Sequence, residues 1–137
     1  MNFIDAVKAY FFKWNDFQSR SSRSEYWWAS LFVTLASLPV GFILGALIGL
    51  IFAISGLSET AMEATIAIIM LPIQIFLIVA STSLVIRRLH DVDRSGWWFL
   101  IIFTVIGIIP LLVWYCTKGT SGDNRFGKDP LEKIQYL

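Results

Sequence analysis

Arg87-Arg88-Leu89-His90-Asp91-Val92-Asp93-Arg94-Ser95-Gly96-Trp97-Trp98 stands between two long apolar runs, and its reading decides the fold. Three arginines, two aspartates and the single histidine of the chain are gathered there, and a tryptophan pair closes the stretch. Before it, no Asp, Glu, Lys or Arg occurs from Ala64 to Ile86; after it, none occurs from Ser95 to Thr117. A third uncharged run extends from Tyr26 to Ser58. About 20 apolar residues rising ~1.5 Å each cross a ~30 Å hydrocarbon core, so runs of this length predict membrane-spanning helices. The soluble alternative would bury three all-round apolar helices inside 137 residues, which leaves too little chain to cover them.

Composition agrees. The chain is 56% hydrophobic and 15% charged, where soluble domains carry about 25% charged residues. A net charge of +1 gives no electrostatic case for nucleic acid. Cys116 is the one cysteine, so no internal disulfide forms, and with one histidine it cannot complete a four-ligand zinc site. No G-x-S-x-G, H-E-x-x-H, C-x-x-C or P-loop pattern occurs, and the sequence calls for no cofactor. The first apolar run begins only at Tyr26 and is too long for a signal-peptide core.

Working outward, the expected architecture is a single membrane domain over 1–137: an all-α polytopic bundle of three hydrophobic helices after a short amphipathic helix. That first helix is expected over 3–17, with Phe3, Val7, Tyr10, Phe11, Trp14 and Phe17 on one side. It either lies in the headgroup layer or packs on the end of the bundle. Ser22-Arg23-Ser24-Glu25 has the form of a capping box and starts a span over 26–54 behind the interfacial cluster Tyr26-Trp27-Trp28. Ser37, Gly41, Gly45, Gly49 and Ala53 recur every four residues in it, a ladder of small side chains that lets another helix approach closely. The partner is a helix of this chain, a second copy or another membrane protein.

Thr60-Ala61-Met62-Glu63 reads as a second capping box before a span over 64–86, in which Gln74 is expected to bond a neighbouring helix. The third hydrophobic helix is expected over 97–117, bounded by Trp97-Trp98 and Trp114-Tyr115 and followed by a polar tail over 118–137. Three crossings with the N-terminus inside put Lys8, Lys13, Arg20, Arg23, Arg87, Arg88 and Arg94 in the cytoplasm and Lys118, Arg125, Lys128 and Lys133 outside. This orientation follows the positive-inside rule. Gly107 and Pro110 offer a competing topology, a re-entrant hairpin that returns the tail to the cytoplasm.

Three blocks carry a resemblance: Arg20-Ser21-Ser22-Arg23-Ser24-Glu25-Tyr26-Trp27; Arg87 to Asp91 with Arg94 to Trp98; and Gly122-Asp123-Asn124-Arg125-Phe126-Gly127-Lys128-Asp129-Pro130. In this order they resemble the signature blocks of the domain of unknown function 805 family, the YhaH-like group of small bacterial inner-membrane proteins. Ser19 departs from the glycine usual before the first block. The resemblance implies a bacterial inner-membrane location and this fold, and it implies no activity.

Function then divides three ways. The favoured reading is a non-catalytic packing or interaction protein, its ladder meeting a copy of itself or a membrane partner and its basic residues meeting the bilayer and anionic headgroups. A transporter or channel component for a neutral solute would use Gln74 and Ser81-Thr82-Ser83, since no ionisable group lies inside the runs. A headgroup-binding protein or enzyme would use the junction residues Arg20, Arg23, Glu25, Arg87, Arg88, His90, Asp91, Arg94, Trp97 and Trp98. Adjacent His90 and Asp91 do not face each other on a helix. The simpler expectation is therefore a structural clamp, with Asp91 or Asp93 on Arg94 or Arg23.

Overall fold

A computed structural model describes residues 1–56 and 58–132. Among these the chain is helical without a named strand: α1 (Phe3–Phe12), α2 (Arg23–Ser55), α3 (Glu59–Asp91), a 3-10 helix (Gly96–Phe103) and α4 (Ile108–Cys116). Two of these helices, α2 and α3, are long and apolar enough to cross a membrane, with 33 residues each. Only 6% of the most apolar window of each is buried inside the protein, whereas a soluble core helix would be mostly buried. Leu38, Phe42, Ile54 and Ile68 all point outward.

The ends of α2 are set by local chemistry. Ser22 caps it, its hydroxyl accepting from the Glu25 N–H at 3.3 Å. Gly56 stops it in the left-handed conformation (φ 65°), donating to the Phe52 carbonyl, a conformation that costs glycine little. The expected Thr60 cap is not used: Ser58 caps α3, accepting from the Ala61 N–H, so the helix starts at Glu59. At its other end α3 runs past Ile86 to Asp91. Arg87 to Asp91 are thus its last turn and not a connection between helices. Nothing breaks the helix before Asp93, which takes a left-handed conformation (φ 56°) that Asp tolerates better than most residues.

The third run departs most from expectation. Residues 97–117 form no single helix: the 3-10 segment ends at Phe103, residues 104–107 turn, and α4 restarts at Ile108. In the turn the Thr104 hydroxyl donates to the Ile101 carbonyl and accepts from the Gly107 N–H. A Cβ on Gly107 would collide with the Ile101 carbonyl. Pro110 falls in the first turn of α4, where a missing N–H costs nothing, so it opens a helix instead of kinking one. The chain doubles back, and Trp98 and Trp114 meet edge to face at 5.6 Å.

The expected helix over 3–17 stops at Phe12. α1 packs against α2 and α3: Tyr10 and Ala6 are buried, Phe3 meets Trp28 and Phe32, and Phe11 stacks on Phe76. Tyr10, Ala29, Ala80 and Leu84 form one core cluster, and Leu89, Leu111 and Tyr115 another, with Tyr26 packed against both. The small-residue ladder lies outside this packing. Among the described residues nothing lies within 4 Å of where a Cβ would stand on Gly41, Gly45 or Gly49, so no close helix approach uses them there. Gln74, expected to bond a neighbouring helix, is exposed.

Candidate functional site: a buried charge cluster at one end of the hairpin

The fold brings three distant segments together where α2 begins and α3 ends: residues 19–25, 87–94 and 114–129. Their charges are buried. Arg87, Arg88, Glu25, Asp91 and Arg20 are all less than 5% exposed. Charges taken this far from water require both ion pairing and further hydrogen bonds.

Glu25 is placed by the first turn of α2 and Arg87 by the last turn of α3. Arg87 Nη1 donates to Glu25 Oε1 at 2.5 Å. The capping box is therefore half of the expected one: Ser22 caps the Glu25 N–H, while the Glu25 carboxylate goes to Arg87. Arg87 Nε and Nη2 are buried without a hydrogen-bond partner among the described residues.

Asp91 is shared by two arginines. Arg20 Nε and Nη2 donate to its Oδ1 at 3.2 and 3.0 Å, and Arg88 Nη1 donates to its Oδ2 from one helical turn earlier. Most of the remaining guanidinium contacts go to backbone carbonyls of residues 114–127, with Arg88 Nη1 also donating to the Ser21 carbonyl and Arg20 Nη2 to the Thr120 hydroxyl. Arg20 Nη1 donates to Gly122 O (2.7 Å) and Gly127 O (3.2 Å), and its Nη2 to Thr120 O (2.6 Å). Arg88 Nε donates to Tyr115 O (3.2 Å), and its Nη2 to the carbonyls of Trp114 and Thr117. Gly119 passes directly over the Asp91 carboxylate, where any Cβ would overlap it. This segment closes the cluster like a lid sewn on by arginines.

His90 sits beside the cluster. Its ring stacks on Phe126 at 3.9 Å and 4°, with Nδ1 3.3 Å from the Ser19 carbonyl oxygen, and Asn124 Nδ2 donates to its backbone carbonyl at 2.8 Å. Arg23 and Arg94, expected to pair with the aspartates, do neither. Arg23 Nη1 reaches the Cys116 carbonyl at 3.4 Å, and Arg94 lies 5.2 Å over the Trp114 ring. Asp93 pairs instead with Arg125, whose Nε donates to Oδ1 at 3.0 Å and whose Nη2 donates to the Asp93 carbonyl at 2.9 Å. Trp97 and Trp98 stand outside the ion pairs, and Trp97 is 79% exposed.

Ser81 and Ser83, candidates for a solute path, hold the N-terminal segment instead. Ser81 shares a 3.0 Å hydrogen bond with the Tyr10 hydroxyl, and Ser83 donates to the Lys13 and Asp16 carbonyls. Thr120, Gly122, Asn124, Phe126 and Gly127 were not among the expected site residues, although all but Thr120 lie in the third sequence block. Their signal was a glycine- and Asn-rich turn with free carbonyls, the complement that buried arginines need.

The sequence block over 14–128 matches the family described as "Protein of unknown function (DUF805)". The chain is 43% identical to "Inner membrane protein YhaI" of Escherichia coli (strain K12) over 115 residues, 83% of this chain and 85% of that protein. It is 35% identical to "Inner membrane protein YhaH" of the same strain over 115 residues, 83% of this chain and 86% of that one. No solved structure matches.

Proposed function

The chain belongs to the DUF805 family, and on that premise we propose that it is a non-catalytic inner-membrane protein that crosses the bilayer twice and holds a rigid polar face at the cytoplasmic surface for interaction with other membrane components. The buried charge cluster carries this reading. Glu25 is ion-paired with Arg87, and Asp91 with Arg20 and Arg88, and both carboxylates are buried. A general acid or base must come within reach of a substrate proton, and these pairings commit the carboxylates to holding the fold together. What the cluster does instead is fasten three segments into one unit.

The same geometry supports a topology. The lysines and arginines of the described residues lie on α1, on residues 13–23 and 87–94, and on 118–128, at the end of the hairpin opposite Glu59 and Glu63. Such a bias favours that end as cytoplasmic. The segment 97–117 is then a re-entrant hairpin between interfacial tryptophans, and both termini face the cytoplasm. Lys133, counted in the charge tally, lies outside the described residues. The outward ladder Ser37, Gly41, Gly45, Gly49 and Ala53 offers α2 to a second copy or to another membrane helix.

Reporters fused before Met1 and after Leu137 test the topology. Cytoplasmic activity is expected for both, and periplasmic activity at either terminus would overturn the two-crossing reading.

A further inference from the structure

Between the last turns of α3 and the 3-10 segment runs a cleft of about 390 Å³, its walls formed chiefly by Thr82, Ile86, Phe99 and Leu100. His90 and Gly96 line the same cleft at the charged end of the protein. Gly96 is what brings the walls together: a Cβ there would stand 2.7 Å from Ile86 Cγ2, while His90 Nε2 lies 3.5 Å away. His90 thus lines the cleft, and Nε2 is its ring nitrogen on the Gly96 side. Its other nitrogen is committed, because Nδ1 faces the Ser19 carbonyl, which can only accept a hydrogen bond. A neutral imidazole that donates from Nδ1 leaves Nε2 as an acceptor. The cleft is thus walled mainly by apolar side chains, with His90 and the hydroxyls of Thr82 and Ser95 as its polar groups, so its complement is an apolar chain with a hydrogen-bond donor at its head.

We propose that this cleft binds a bilayer aminophospholipid, with one acyl chain between α3 and the 3-10 segment and the headgroup amine at His90. The inference rests on the two-crossing reading, in which Thr82 and Ile86 lie in the last turns of the apolar run and the cleft opens into acyl chains. His90, which lines the cleft, suits the ammonium. No part of the buried cluster is needed for this site, since the arginines that hold Asp91 point away from it into the C-terminal carbonyls.

The full chain reconstituted in vesicles of phosphatidylethanolamine and phosphatidylglycerol, with a trace of phosphatidylethanolamine carrying a diazirine on one acyl chain, provides the test. Adducts should concentrate on Ile86 and Leu100 several-fold over the more exposed Ile68 and Leu35. Thr82→Trp, which fills the cleft, should abolish the excess while leaving the Ile68 adducts. Leu100→Trp, on the open rim, repeats the measurement should Thr82→Trp fail to accumulate. A phosphatidylcholine probe, lacking the donor, should lower the excess about three- to tenfold, the effect of one hydrogen bond. Even labelling along the hairpin, or an excess that survives both tryptophan variants or the headgroup exchange, overturns the site. Absence of adducts on Ile68 and Leu35 would instead sink the two-crossing reading itself.

Discussion

Asp91 accepts from Arg20 on one oxygen and from Arg88 on the other, so its removal leaves two buried guanidinium groups facing each other. Breaking a buried pair by deleting one partner costs about 3–5 kcal/mol, because the survivor stays desolvated and unpaired. Asp91→Asn should therefore lower the melting temperature in detergent and the accumulation in membranes, and normal values for both would refute the clamp. Asp16 gives a second prediction. Partial burial works to raise its pKa, but the Ser19 hydroxyl and the Ser19 and Gln18 N–H groups outweigh it and hold the carboxyl below its usual value. A depressed folded pKa adds stability above the unfolded value, about 3.9. That contribution disappears as pH falls through the folded value. Melting temperatures followed from pH 6 to pH 3 should fall at the acid end in the wild type and fall less in Asp16→Asn.

At the scale of elements, α2 and α3 were legible because a 3.6-residue helix without charges for more than 20 residues has few other homes. The Ser22 cap was legible too, since the hydroxyl and the N–H it serves lie within one turn. The partners of Glu25 and Asp91 were not: Arg87 is 62 residues from Glu25, and local pattern carries no information on such pairing. The run 97–117 misled because hydropathy measures length and apolarity, whereas its shape is set by steric detail at Gly107. Gly107→Ala should force the turn open and cost about 1–3 kcal/mol, as overpacking does. Unchanged thermal stability would show that the hairpin tolerates a Cβ there. Gly45→Leu provides the opposite case. With nothing within 4 Å of that position, the monomer should change by no more than about 0.5 kcal/mol, while crosslinked dimers in membranes should be lost. A destabilised monomer would mean that the ladder packs within the chain.

Across the whole molecule, the block Gly122 to Pro130 supplies carbonyls to Arg20. A third crossing would send that block to the far side, whereas a re-entrant hairpin keeps it beside the arginine. The charged segments 19–25, 87–94 and 118–129 share one end because α2 and α3 form a hairpin and residues 97–117 fold back. The cluster they build joins residues separated by most of the chain, and this bears on how the protein is made. Arg20 donates to carbonyls 100 to 107 residues further on. At roughly 5–20 residues per second of synthesis, Arg20 waits on the order of 5–20 s for those acceptors. The charge cluster is in that sense a completion signal, closing only on chains that have been synthesised to the end of the C-terminal block.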